Sequence, residues 1–118
     1  MAQDRPTADE LLEAVAEFLA RDVVPGTDGR LSFHARVAAN VVGIVRRELA
    51  SGSALDDEEH ARLRALLGHD GTRDELDAEL ARRIRDGSLD DQRDAVVDHV
   101  RRTVRAKLTI ANPRYLET

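Results

Sequence analysis

The chain contains no cysteine, which excludes a disulfide framework, a thiolate metal site and a cysteine nucleophile. Aromatic residues are almost missing too. Phe18, Phe33 and Tyr115 are the whole set, too few to build a stacking platform for bases or sugars. Lysine occurs once, at Lys107, against seventeen arginines. The positive charge is therefore carried by guanidinium groups, whose simplest use is pairing with the many Asp and Glu side chains. No apolar run approaches the ~18 residues that a membrane span requires. The opening Met1-Ala2-Gln3-Asp4-Arg5-Pro6 is polar and lacks the apolar core of a signal peptide. The expected location is cytoplasmic, with no membrane contact. A formal net charge of -5 also speaks against a nucleic-acid binder, which needs a basic face to neutralise phosphates.

What is present is a succession of helix signals. A chain of 118 residues is long enough to bury one core without a staple, and it is read as a single helical domain over residues 1–118. Pro6 followed by Thr7-Ala8-Asp9-Glu10 forms a capping box. Leu11, Leu12, Val15, Phe18, Leu19 and Val23 then recur at helical spacing up to Pro25-Gly26, predicting a first helix over 7–24. From Arg30 to Leu49 a central helix carries Leu31, Phe33, Val37, Ala38, Val41, Val42, Ile44 and Val45 over about half its circumference, which predicts burial on two sides. Ser51-Gly52 is expected to stop it, with Gly52 as a left-handed cap. A third helix is expected over 56–67, facing inward through Leu63, Leu66 and Leu67. Thr72-Arg73-Asp74-Glu75 is a second capping box, opening a helix whose narrow Leu76, Leu80, Ile84 row predicts a peripheral place. The last helix, from Asp90 or Asp91 to Asn112, is expected to bury Val96, Val97, Val100, Val104 and Leu108. Pro113 then pushes the chain into an extended tail on which Tyr115 and Leu116 dock back. No stretch alternates with period two over a strand's length. The fold class is all-α, a bundle of about five amphipathic helices with an extended C-terminal tail.

Few residues suggest chemistry. His34 falls in the apolar arc of the central helix, with Arg30 one turn before it, so it is expected either to be a core histidine bonded to a neighbouring helix or to stand in a pocket as acid, base or ligand. Arg36, Asn40 and Arg47 edge the same arc, as an anion-recognising face or an inter-helix network. Asp57 and His60 have the i, i+3 spacing of a ligand pair, but no second carboxylate-x-x-His pair completes a dinuclear bundle site, so no metal and no cofactor are expected. His69 and His99 lie in similarly acidic stretches. No phosphate loop, zinc motif or nucleophile elbow is present, so no catalytic residue is nominated. The basic run Arg101 to Lys107 fits a helix C-terminus.

Three motifs, Gln3-Asp4-Arg5-Pro6-Thr7 leading into Glu10-Leu11-Leu12, Phe33-His34-Ala35-Arg36-Val37-Ala38-Ala39-Asn40, and Asn112-Pro113-Arg114-Tyr115-Leu116, resemble a bacterial family of small domains, DUF6285. The resemblance implies an accessory role beside aminoglycoside-phosphotransferase-like kinases and acyl-CoA dehydrogenases, with which such domains are encoded or fused. It transfers no catalytic residue. It draws attention to His34, Arg36 and Asn40 as ligand-binding candidates and to Asn112, Pro113, Arg114 and Tyr115 as a structural or interaction tail. The expected function is a non-catalytic protein-interaction module whose partner is a phosphotransferase-like or acyl-CoA dehydrogenase-like enzyme, and which also pairs with itself as a homodimer. The alternative is a small enzyme or binding domain for an acyl, phosphate or CoA-like ligand around His34.

Overall fold

A computed structural model describes residues 4–117. Among them every regular element is helical and no strand occurs. There are four helical runs rather than about five. α1 comprises Ala8–Phe18, a π turn Leu19–Val23 and a last turn Val24–Gly26. α2 comprises Gly29–Arg47, a π turn Glu48–Gly52 and Ser53–Leu67. α3 is Arg73–Arg85 and α4 is Arg93–Ala111, entered through a 3-10 turn at Asp90–Gln92.

The fifth helix vanishes because the expected break at Ser51-Gly52 does not form. Gly52 has φ -58°, ordinary helical backbone, and is buried. A glycine tolerates a left-handed cap but does not impose one. Here the π turn absorbs the irregularity while the helix carries on. A similar turn precedes Pro25, whose ring would collide with the carbonyl four residues back in a regular helix. The widened turn, in which the Val24 N–H donates to Leu19 O, lets α1 run to Gly26.

The chain divides into two compact units, with the boundary between Ser51 and Gly52. In the first, α1 and the N-terminal part of α2 form an antiparallel hairpin. Its ends are fixed by Ser32 Oγ donating to Val24 O at 2.9 Å and by Arg46 pairing with Asp9 at 2.8 Å and Glu13 at 3.5 Å. Thr7 and Glu10 complete the capping box reciprocally, each amide bonded to the other side chain at 3.1 Å. The seam is built of half-buried Leu12, Ala16, Leu19 and Val23 against Ser32, Ala39 and Val42, with Ala35 the residue fully buried. Small side chains let the two backbones approach. The price is a wide uncovered surface: Phe33, Val37, Val41 and Val45, an i+4 row on the central helix, are each 41–58% exposed. The expected two-sided burial of this helix is therefore met on one side. Charge is segregated as well. α1 carries Asp9, Glu10, Glu13, Glu17 and Asp22 against Arg21, whereas Gly29–Arg47 carries Arg30, Arg36, Arg46 and Arg47 and no acid.

The second unit has the leucine core. Leu63 and Leu67 of α2, Leu76 and Leu80 of α3, and Leu89 are buried together, with Leu66 and Val96 packed against them. α3 is thus part of the core rather than peripheral, although Ile84 at its end is exposed. Gly68, at φ 81°, provides the left-handed cap that ends α2, a conformation glycine adopts without steric cost. His60 Nε2 donates to Gly71 O at 2.8 Å and holds the following loop. The second capping box is half made: Glu75 N–H donates to Thr72 Oγ1 at 3.1 Å, while the Glu75 carboxylate accepts from that same hydroxyl at 2.9 Å. No extended tail follows α4. Pro113–Glu117 is a 3-10 turn, started by Tyr115 N–H donating to Asn112 O at 3.1 Å. This turn keeps Tyr115 65% exposed and half-buries Leu116. Proline excludes the α-helix at the residue before it but is itself compatible with a tighter turn.

Candidate functional site

His34, Arg36 and Asn40 all lie exposed on α2. Arg30 Nε donates to His34 Nε2 at 3.3 Å across one helical turn, and the Phe33 ring meets the imidazole edge-on, with centroids 5.6 Å apart. His34 is therefore neither a core histidine nor bonded to a neighbouring helix. Its ring is held by residues of its own helix. Arg36 and Asn40, four residues apart, share one side of α2, whereas His34 projects roughly 120–160° away from them. The three do not converge. Of the tail residues, Asn112 ends α4 with its N–H donating to Leu108 O at 2.8 Å, and Pro113, Arg114 and Tyr115 form the 3-10 turn already described.

The histidine that is buried is His99, 4% exposed on α4. Arg62 Nε, from the C-terminal part of α2, donates to His99 Nδ1 at 3.3 Å, and a second guanidinium nitrogen donates to Thr103 Oγ1 at 3.2 Å. Arginine can only donate, so Nδ1 presents its lone pair and Nε2 carries the proton. Burial pushes the imidazole below its usual pKa, and the neighbouring Arg62 cation pushes it the same way. His99 is neutral at pH 7 for two additive reasons. Beside it opens a shallow cleft of about 320 Å3, lined by Arg62, Ala65, Leu66, Gln92, Ala95, Asp98 and His99. Its polar lining is Arg62, which can only donate, the His99 ring, Gln92, which can donate or accept, and Asp98, whose carboxylate accepts from Arg102 at 3.0 Å. Such a cleft suits a ligand group that accepts hydrogen bonds. The basic nitrogen of His99 is occupied by a cation and depressed in pKa, so the ring is built to hold a position more than to take up a proton.

Sequence reasoning passed over His99 because the α4 wheel carries two adjoining stripes. Val97, Val100 and Val104 form the more apolar one, yet they are 42–50% exposed. The inward stripe is Val96, His99, Thr103 and Ala106, spaced i, i+3, i+7, i+10. Its signal is visible only once Arg62 is known to face it.

His69 is an exposed counterpart. Its Nε2 meets the Glu79 carboxylate at 2.8 Å and its Nδ1 meets Asp70 O at 2.9 Å. Both partners are acceptors, so both ring nitrogens donate, and the Glu79 bond above all raises its pKa. Among the described residues no group of three or more His, Asp or Glu side chains is arranged to hold a metal ion. Nor, among them, is any helix long and apolar enough to cross a membrane.

No curated protein and no solved structure matches the chain. One family model does, over residues 25–115, described as a domain of unknown function. That span takes in the Phe33–Asn40 motif and Asn112 to Tyr115, while the N-terminal motif precedes it. The chain belongs to the DUF6285 family.

Proposed function

We propose that this chain is a non-catalytic, cytoplasmic interaction module, accessory to a phosphotransferase-like or acyl-CoA dehydrogenase-like enzyme. The observation supporting this reading is the Val97, Val100, Val104 stripe of α4, exposed at 42–50% while the polar His99 side of the same helix is turned inward. An i, i+3, i+7 apolar row flanked by Arg93 and Arg101 has the form of a docking face for a partner helix. The test is titration calorimetry of the purified chain against each of the two enzyme types from the same genome. Binding by one of them, lost in Val100→Asp, is expected. Absence of binding by both at tens of micromolar would overturn the proposal.

A second reading, a binding site for an acyl, phosphate or CoA-like ligand, is favoured by the donor-rich Arg62–His99 cleft rather than by His34. Coenzyme A and inorganic phosphate, each added to a thermal melt, test it. A stabilisation that disappears in Arg62→Gln is the expected sign, and an unchanged melt with both ligands counts against it.

A further inference from the structure

We propose that the cleft beside His99 binds a small aliphatic monocarboxylate, its carboxylate bonded by the Arg62 guanidinium and the His99 Nε2–H and its chain lying on Ala65, Leu66 and Ala95. This rests on the second reading above and narrows it to one ligand class.

The first ground is an unmet charge. Arg62 is half-buried, and among the described residues no carboxylate stands within ion-pairing distance of it. Its bonds go to uncharged partners, His99 Nδ1 at 3.3 Å and Thr103 Oγ1 at 3.2 Å. They fix the guanidinium without neutralising it. The N–H groups left over belong to its two terminal nitrogens, the edge that matches the paired oxygens of a carboxylate. The second ground is an unmet donor. His99 is 4% exposed, yet its Nε2 has no hydrogen-bond partner among the described residues and is not sealed from solvent. With Nδ1 accepting from Arg62, Nε2 carries the proton of the ring. A donor left open in an otherwise covered side chain favours any acceptor that reaches it, and the cleft is where this ring meets solvent.

The balance of charge selects the class. Gln92 is uncharged, His99 is held neutral by its acceptor role, and the Asp98 carboxylate is matched by Arg102 at 3.0 Å. That leaves the single positive charge of Arg62, which a carboxylate cancels. A phosphate group carries roughly 1.5–2 negative charges at pH 7, so it overshoots and is repelled by Asp98. Coenzyme A, with several phosphates, overshoots further. Size and lining agree with a short chain: the cleft is about 320 Å3, near the lower end of the ~300–1,000 Å3 usual for small-molecule sites, and Ala65, Leu66 and Ala95 offer an aliphatic wall.

The test is a titration of the full chain with hexanoate, acetate and inorganic phosphate, followed by proton–nitrogen NMR of the backbone amides and the His99 ring. Hexanoate is expected to shift the His99 ring and the amides around Gln92 and Ala95, with Kd on the order of 1 mM. Acetate, lacking the chain, and phosphate, with the wrong charge, should each bind about 5-fold more weakly or worse. Arg62→Gln should weaken hexanoate about 10-fold or more, and Asp98→Asn should strengthen phosphate by about 3-fold. Ala95→Leu fills the cleft without touching a hydrogen bond and should abolish binding at wild-type helicity, which keeps the proposal falsifiable if Arg62→Gln does not fold. Hexanoate binding that is unchanged in Ala95→Leu overturns the proposal. Phosphate binding at the same residues more tightly than hexanoate overturns the monocarboxylate and leaves the cleft reading standing, whereas no response to any of the three ligands at about 20 mM removes both.

Discussion

Replacing Leu63 by alanine should be the most damaging single truncation in the second unit. Leu63 has no exposed surface and sits among Leu67, Leu76, Leu80 and Leu89. The change removes three carbon atoms, about 2.4 kcal/mol of transfer free energy at ~0.8 kcal/mol per methylene. The neighbours are themselves leucines on three separate segments and cannot all collapse inward. A residual cavity on the order of 60–100 Å3 then adds roughly 1.5–2.5 kcal/mol. The expected loss is about 4 kcal/mol, against a total stability of roughly 6–15 kcal/mol for a chain of this length. Urea denaturation followed by circular dichroism at fixed protein concentration measures it, with Val100→Ala as the comparison. Val100 is 43% exposed, and its truncation should cost no more than about 0.5–1 kcal/mol. A Leu63→Ala loss below about 1 kcal/mol, or one no larger than that of Val100→Ala, would refute the placement of the core.

Thr72→Ala removes the acceptor of the Glu75 amide and the donor to its carboxylate, so it should cost about 1 kcal/mol in the same denaturation assay. His99 and His69, both in the second unit, should give pH dependences of opposite sign. His99 is depressed from its ordinary value of 6.5, chiefly by burial, so its protonation penalises the folded state. Stability is complete above pH 6.5 and falls as the pH drops below it, and His99→Gln should flatten that fall. His69 is raised by its bond to Glu79, so its contribution is present below pH 6.5 and is lost as the pH rises through the elevated value. His69→Gln should remove that alkaline loss in thermal melts taken from pH 5 to 8. A His99 variant retaining the full acid sensitivity would contradict the buried, neutral imidazole.

The sequence alone determined that the protein is all-α, where most of its helices begin, and the inward side of Leu63 and Leu67 in the leucine core. These are local properties. A capping box such as Thr7 with Glu10 satisfies amides three residues away, and an i, i+4 leucine row such as Leu76 and Leu80 needs only helical periodicity to share a side. Family membership was legible for the same reason, through contiguous motifs. Where the helices end was less so, because Gly52 and Pro25 permit a break without enforcing one, and π turns let the backbone continue. What only the tertiary structure decided is which of several apolar arcs turns inward. On α4 the choice fell on the stripe holding His99 and Thr103, because Arg62 donates to both of them and a satisfied polar group is tolerated in an interior. On the central helix Phe33, Val37 and Val41 stayed outside and His34 stayed with them, because α1 takes up the alanine-lined side. A helical wheel records which residues share a face. Which face is covered depends on the neighbour, and that neighbour is distant in sequence.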